Sequence, residues 1–231
     1  MKVIWIIVLL LIVVAGWFVV VPAVAPGVTE KTVIRDAQVT LGDTMAVMNQ
    51  SELALMMYDN ALSMNTSDTI ILKKKGEMFL KTGQSQEAAK IYEQVLSQNN
   101  NDPAALMRMG DSQVKAGNLD AALSYYDAAL AIDPDDSKLL LKKGDTYLLM
   151  SAAEIQKLQA AAQALAKQPG TAGYQQSSTI SLESQQSYQN AMTSYQKAMQ
   201  IDPKLSVIVS ARVLTATQNQ VASYQNLLNN F

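Results

Sequence analysis

The sequence predicts an all-α protein in which a stack of helical hairpins follows one transmembrane helix. Three observations lead to this prediction. No segment shows the sustained alternation of β-branched residues that is typical of a strand. Glycine recurs four times at intervals of 34 residues, each time before an acidic residue. The run from Val3 to Val21 contains no charged residue and no proline.

Residues 1–21 are predicted to form a transmembrane anchor. The apolar run of 19 residues is long enough, at about 1.5 Å per residue, to cross a hydrocarbon core of about 30 Å. Lys2 precedes the run without an acidic neighbour, which favours an N-terminus inside and a repeat domain outside the cytoplasmic membrane. The alternative is a signal peptide cleaved after Ala25, which would lead to secretion, because Ala23 and Ala25 fit a small-residue cleavage site.

Residues 22–34 are predicted to be an extended linker, because they contain Pro22, Pro26 and Gly27. The repeats follow this linker. The repeat glycines are Gly42, Gly76, Gly110 and Gly144. In the first three repeats, an alanine lies twelve residues after the glycine and a tyrosine four residues after the alanine. These pairs are Ala54 with Tyr58, Ala88 with Tyr92, and Ala122 with Tyr126.

A spacing of four places the alanine and the tyrosine on one face of a second helix, beyond a turn such as that at Gly117. Each repeat is therefore predicted to be a helical hairpin. Glycine weakens a helix, so we expect it to allow a close approach of the second helix, with the alanine of that helix against the glycine.

These motifs resemble the tetratricopeptide repeat. The third repeat carries the resemblance most fully, with Gly110, Gly117, Ala122, Tyr126 and a terminal Asp-Pro pair at 133–134. The resemblance implies a right-handed superhelical solenoid over residues 35–205, with regular repeats at 35–68, 69–102 and 103–136. It is specific for the fold and does not identify a ligand.

The period becomes irregular after Gly144. Ala191 and Tyr195 match the second helix of a repeat, but they lie 35 residues later than the period predicts. Residues 137–205 are therefore either one interrupted repeat or two degenerate repeats. In the first interpretation a long helix stops at Pro169 and a loop follows over Thr171 to Ser178. We expect Ser151 to Gln185 to be functionally distinctive, because irregular units in a repeat array can carry recognition.

Residues 206–231 are predicted to be a C-terminal capping helix. Its apolar positions at helical spacing should pack inward and leave a polar face to solvent, as the end of a repeat array requires. These positions are Val207, Ala211, Leu214, Val221 and Leu228.

The composition excludes most catalytic chemistry. The 231 residues include neither cysteine nor histidine, so thiolate nucleophiles, Cys/His zinc sites and imidazole bases are missing from the sequence. The formal net charge is −2, and no large basic block indicates nucleic-acid binding. We therefore predict no catalytic residue, no metal and no cofactor.

The family resemblance implies that the first helices of the hairpins line a groove for a protein or peptide. The groove residues implied by their positions are Lys73, Glu77, Arg108, Asp111, Lys115, Lys138, Lys142 and Asp145. The function expected from the sequence is thus a membrane-anchored scaffold for protein interactions. The alternatives are an exported soluble or self-associating repeat protein, and an accessory subunit of an envelope assembly or processing complex. The sequence does not identify the partner or the oligomeric state.

Overall fold

A computed structural model describes residues 30–167 and 171–229, and the regular elements of these residues are all helices. Nine α-helices and one short 3₁₀ helix occur in this part of the chain. The α-helices are α1 Glu30–Val47, α2 Ser51–Leu62, α3 Thr69–Lys81, α4 Ser85–Gln98, α5 Pro103–Lys115, α6 Leu119–Ile132, α7 Ser137–Lys167, α8 Thr171–Ile201 and α9 Ser206–Asn229. The 3₁₀ helix is Pro203–Leu205.

Local sequence signals set the ends of the short helices. Asp68 accepts hydrogen bonds from the backbone N–H groups of the first turn of α3, and Asp102 caps α5 in the same way. Such caps satisfy donors that have no partner within the helix. Gly83 and Gly117 end α3 and α5 with φ angles of 80° and 83°, which glycine adopts without a steric cost.

The chain divides into two compact units at Ile91 and Tyr92, within α4. In the first unit, α1 and α2 form the first hairpin. Ala54 and Tyr58 of α2 are buried in it, at 0% and 2% exposure. Lys81 at the end of α3 donates a hydrogen bond to the backbone carbonyl of Ala46 at 2.9 Å.

The second unit contains a regular hairpin, α5 with α6, and a much longer hairpin, α7 with α8. The two long helices have 31 residues each. They contact one another in the regular part of the hairpin, where Tyr195 packs on Gly144, and in its additional part, where the Ser151 and Ser184 Oγ atoms lie 3.0 Å apart. The 35 additional residues therefore lengthen both helices of a single hairpin.

Of the two alternatives for residues 137–205, this arrangement fits one interrupted repeat, whose long first helix extends to Lys167. Two degenerate repeats would need a turn inside residues 137–167, but these residues form one continuous helix. The loop over Thr171 to Ser178 is also wrong, because α8 begins at Thr171. The intrinsic helix propensity of this segment is weak, so packing of the rest of α8 on α7 outweighs it.

The predicted linker over residues 22–34 is wrong at its end, because α1 already begins at Glu30. An acidic side chain in the first turn favours a helix start at this position. Residues 22–29 and the predicted span over residues 3–21 lie outside the described residues. Among the helices that the structure describes, none is long and apolar enough to cross a membrane.

The terminal helix α9 follows a 3₁₀ turn that Asp202 caps. Val209 of α9 is buried at 4% exposure and belongs to the core between α7 and α8. The predicted orientation of the other apolar residues is wrong: Val207, Leu214 and Val221 are 77%, 59% and 50% exposed. The side of α9 that contacts α7 instead includes Arg212, which forms an ion pair, so charge pairing and Val209 determine which side packs inward.

Candidate functional site

The alanines and tyrosines that recur in the hairpins are buried in the structure. Ala54, Ala88, Ala122 and Ala191 have 0% exposure, and Tyr58, Tyr92, Tyr126 and Tyr195 have 2% or less. Gly42, Gly76, Gly110 and Gly144 are buried as well.

The expected contact between glycine and alanine is wrong in detail. A Cβ atom added to Gly110 would lie 2.4 Å from Cε1 of Tyr126, and one added to Gly144 would lie 2.5 Å from Cε1 of Tyr195. The glycine therefore makes room for the tyrosine ring of the second helix.

The acidic residue after the glycine binds this same tyrosine. The Tyr126 hydroxyl donates a hydrogen bond to Asp111 at 2.8 Å, and the Tyr195 hydroxyl donates one to Asp145 at 2.7 Å. In the first unit, the Tyr58 hydroxyl donates to Asp43 at 2.8 Å. The ring thus fills the space at the glycine while its hydroxyl reaches the next residue of the same helix.

A basic side chain from the following helix completes each of these contacts. Lys74 lies 2.8 Å from Asp43, Lys142 lies 2.8 Å from Asp111, and Arg212 lies 2.8 Å from Asp145. We call each set an acid–tyrosine–base link. A link joins the two helices of one hairpin to the first helix of the next element, so it fixes three helices with one carboxylate.

Burial determines the electrostatics of the links. Burial and the Asp111 carboxylate raise the pKa of Tyr126, and burial and Asp145 do the same for Tyr195. Both hydroxyls therefore stay protonated donors at any physiological pH. Burial also raises the pKa of Asp145, while the hydrogen bond from Tyr195 and the charge of Arg212 oppose this rise. The links are structural features of the repeats.

The links also determine what the predicted groove residues do. Asp111, Lys142 and Asp145 are partners within the links, and Arg108 is bound to Asp111 at 3.2 Å in its own helix. These four residues are thus already paired inside the chain, which leaves less of their charge to hold a ligand carboxylate.

The other predicted groove residues lie on first helices of the hairpins. Lys73 is half-buried and Glu77 is exposed on α3 in the first unit. Lys115 and Lys138 are exposed on α5 and α7 in the second unit. Their role in a peptide groove stays a prediction.

The basic residues of the links were not predicted to stabilise the repeats, although two of them recur with the repeat period. Lys74 and Lys142 are separated by twice the repeat length, and Arg108 lies midway between them. A base with the period of the glycine indicates an interaction that each repeat requires. The third base, Arg212, falls outside this period because the long hairpin displaces it.

A cleft of about 800 Å³ lies between α7 and α9, with Tyr188 of α8 also contributing to its wall. The Arg212–Asp145 ion pair lies at one end of the cleft. Further along the two helices, the Gln159 side chain donates a hydrogen bond to the Ser223 carbonyl at 3.2 Å. The two helices are therefore tied together at two levels with an open space between them.

The lining of this cleft combines apolar and uncharged polar groups. Leu148 and Ile155 contribute apolar surface, Gln156 and Asn219 contribute carboxamides, and Ala152 leaves space. Among the described residues of the lining, the charged ones are the two that pair at its end. The cleft therefore suits an uncharged ligand segment that has both apolar and hydrogen-bonding groups.

The length of α7 creates this cleft. The additional part of the hairpin supplies Ser151, Ala152, Ile155 and Gln156, which lie within residues 151–185, the segment predicted to be functionally distinctive. A regular first helix of 13 residues, such as α5, would end before these positions. The cleft itself could not be predicted, because most of its other wall comes from a side of α9 that the apolar pattern does not indicate.

The tetratricopeptide repeat family matches the chain at residues 79–143 and again at residues 180–205. The chain contains tetratricopeptide repeats. The first match begins at the end of α3 and extends through α4 and the hairpin of α5 and α6 to the start of α7. The second covers the end of α8, where Ala191, Tyr195 and the Asp-Pro pair at 202–203 lie. The long hairpin thus ends with a normal repeat sequence.

Solved structures of MamA proteins have a similar fold. The structure "MamA 41-end" from Desulfovibrio magneticus RS-1 is 15% identical, with a TM-score of 0.54 over 74% of this chain and 76% of that chain. The MamA RS-1 ArsTM double mutant is 14% identical, with a TM-score of 0.54 over 76% and 78%. MamA MSR-1 C2 is 13% identical, with a TM-score of 0.51 over 74% and 78%.

No curated protein matches the chain. At these low identities the structural similarity establishes the fold alone. The all-α architecture of tetratricopeptide hairpins is therefore established for the described residues, and the right-handed superhelical path of the array stays a prediction. The described residues also contain no group of three or more acidic side chains placed to hold a metal ion.

Proposed function

We propose that the chain is a membrane-anchored scaffold that binds a protein or peptide partner through its tetratricopeptide repeats. The observation that carries this proposal is the cleft between α7 and α9, which is open, has a volume of about 800 Å³ and is lined by both apolar and carboxamide groups. Clefts of this size with a few placed polar groups are typical binding sites. The proposal assigns no catalysis to the chain.

The chemistry of the cleft favours a short peptide segment without charged side chains. The carboxamides of Gln156 and Asn219 can each donate and accept hydrogen bonds, so they can pair with the N–H and C=O groups of a peptide backbone. Leu148 and Ile155 would contact apolar side chains of the same segment. A charged side chain would lose hydration without gaining a partner, since Arg212 and Asp145 already neutralise each other.

A pair of matched substitutions tests this site. Ala152 lines the cleft and Ala160 does not, although both are exposed on α7. Ala152→Trp should fill the cleft and abolish capture of the partner from solubilised membranes, whereas Ala160→Trp should leave capture unchanged. Equal capture by the two variants would contradict the assignment of the partner to this cleft. Circular dichroism of both variants controls for folding.

We also propose that residues 3–21 anchor the chain in the cytoplasmic membrane with the repeats outside. The support is the length of the apolar run and the position of Lys2. Protease added to spheroplasts should remove the repeats and leave the anchor in the membrane fraction. Protection of the repeats until lysis would reverse the orientation, and a mature N-terminus at Pro26 would identify a cleaved signal and a secreted protein.

A further inference from the structure

The terminal helix α9 has an apolar stripe on the side that points away from α7. Val207, Leu214 and Val221 form this stripe, and they are 77%, 59% and 50% exposed. Val209 faces the opposite way, is buried at 4% and contacts the core of the long hairpin. The stripe is therefore separate from the surface that holds α9 in place and from the cleft.

The spacing of the stripe is that of a helix that packs against another helix. Its residues are seven apart, and Gln218 lies between Leu214 and Val221 on the same side, whereas Ala211 borders the cleft. A seven-residue apolar repeat is the pattern of a coiled-coil seam, in which a single polar position is tolerated and fixes the register. From Val207 to Val221 the stripe is about 21 Å long at 1.5 Å per residue.

The charge of α9 indicates which helix can cover the stripe. Arg212 is the one charged residue of the helix, and it is paired with Asp145 on the other side. Two copies of α9 would thus meet without repulsion between like charges. Charges that flank a coiled-coil seam set the choice of partner, and this helix carries none beside the stripe that would exclude a second copy.

Two of the three stripe residues are also symmetric about the middle of the helix. Leu214 and Val221 lie at equal distances from the midpoint of α9, between Thr217 and Gln218. A two-fold axis at this midpoint would place Leu214 of one copy against Val221 of the other copy, as a self-complementary interface requires. We propose that the exposed stripe of α9 packs against the same stripe in a second copy of this chain. This proposal is independent of the proposed function and does not involve the cleft.

Disulfide cross-linking tests the proposal, because the chain contains no cysteine. In the full chain in detergent, Gln218→Cys should form an intermolecular disulfide on oxidation, since this position lies beside the proposed two-fold axis. Asn219→Cys is the matched control: it is also exposed, but it is rotated by about 100° around the helix and lines the cleft. Equal cross-linking of both variants, or none of either, would overturn the proposal.

Charge substitution provides the second test. Leu214→Glu combined with Val221→Glu should raise the dissociation constant of the dimer about tenfold or more, because it buries like charges in the seam. Leu182→Glu on α8 is the control, since this leucine is also exposed, at 66%, but lies outside the stripe. Sedimentation equilibrium of the full chain in detergent measures both. A dimer that survives the double substitution would overturn the proposal, whereas loss of partner capture with an intact dimer would affect only the proposed function.

Discussion

Replacing Gly110 by alanine should destabilise the protein, although alanine is the better helix former. The added Cβ would lie 2.4 Å from Cε1 and 2.6 Å from Cδ1 of Tyr126. Carbon atoms in contact are normally about 3.5–4.0 Å apart, so the ring and the methyl group must separate by about 1 Å. Tyr126 is only 2% exposed, and its hydroxyl is held by Asp111 at 2.8 Å. The ring therefore has little space to move into.

Three terms determine the size of the effect. Alanine gains about 1 kcal/mol of helix propensity over glycine. Overpacking in a close-packed core costs about 1–3 kcal/mol. Displacement of the ring weakens a hydrogen bond to a charged group, which contributes about 1.5–3 kcal/mol when intact. The net destabilisation should be about 2 kcal/mol, which corresponds to a fall in Tm of about 4–8 °C for a chain of this size.

Thermal unfolding followed by circular dichroism measures this change in the full chain. The control combines Gly110→Ala with Tyr126→Leu, because removal of the ring removes the clash. In that background Gly110→Ala should raise Tm by up to about 4 °C through helix propensity alone. If Gly110→Ala does not lower Tm in the natural sequence, or lowers it equally without the ring, the Tyr126 ring is not the reason why position 110 requires glycine.

Other substitutions test the links and the long hairpin. Tyr126→Phe should lower the free energy of unfolding by about 1.5–3 kcal/mol, and Tyr58→Phe by about 1 kcal/mol or less, because Asp111 is 12% exposed and Asp43 is 44% exposed. Urea unfolding measures both losses. Equal losses would show that burial does not strengthen the links. Burial raises the pKa of Glu154, because the native state disfavours the ionised form of its carboxyl group. Glu154→Gln should therefore stabilise the protein at pH 7 but not below the unfolded-state pKa of about 4.5. A difference in Tm between the two proteins that persists at pH 4 would contradict this cause. Residues 150–187 can be replaced by Ala-Gly-Asn, the turn of the preceding hairpin, which restores the regular period. This variant should keep the contact between Tyr195 and Gly144 but lose partner capture. An unfolded product would show that the regular repeat core is not stable without the extension.

The helical hairpins could be predicted from the sequence because each repeat satisfies its own local rules. Turns need a left-handed glycine at Gly83 and Gly117, and helix starts need a capping acid at Asp68 and Asp102. These requirements involve neighbours in the sequence. They recur with the period of the repeat and are therefore visible in a single chain.

The long hairpin could not be resolved in the same way. Its extension depends on contacts between residues such as Ser151 and Ser184, which are 33 positions apart and have no special local signal. The orientation of α9 has a similar cause. Its apolar residues indicate one face, but the pairing of Arg212 with Asp145, 67 positions earlier, holds another face against α7. The cleft follows from both features and so was missed.

A disulfide between α7 and α8 would test the long hairpin most directly. The cleft, the position of α9 and its exposed stripe all depend on α7 and α8 forming one long hairpin. The Ser151 and Ser184 Oγ atoms are 3.0 Å apart in this hairpin, so Ser151→Cys combined with Ser184→Cys should form an intramolecular disulfide in the otherwise cysteine-free chain. Ser151→Cys combined with Thr193→Cys, which lies further along α8, should not. Mass spectrometry of the oxidised protein should find the first link quantitatively, and its absence would contradict the single hairpin and everything inferred from it.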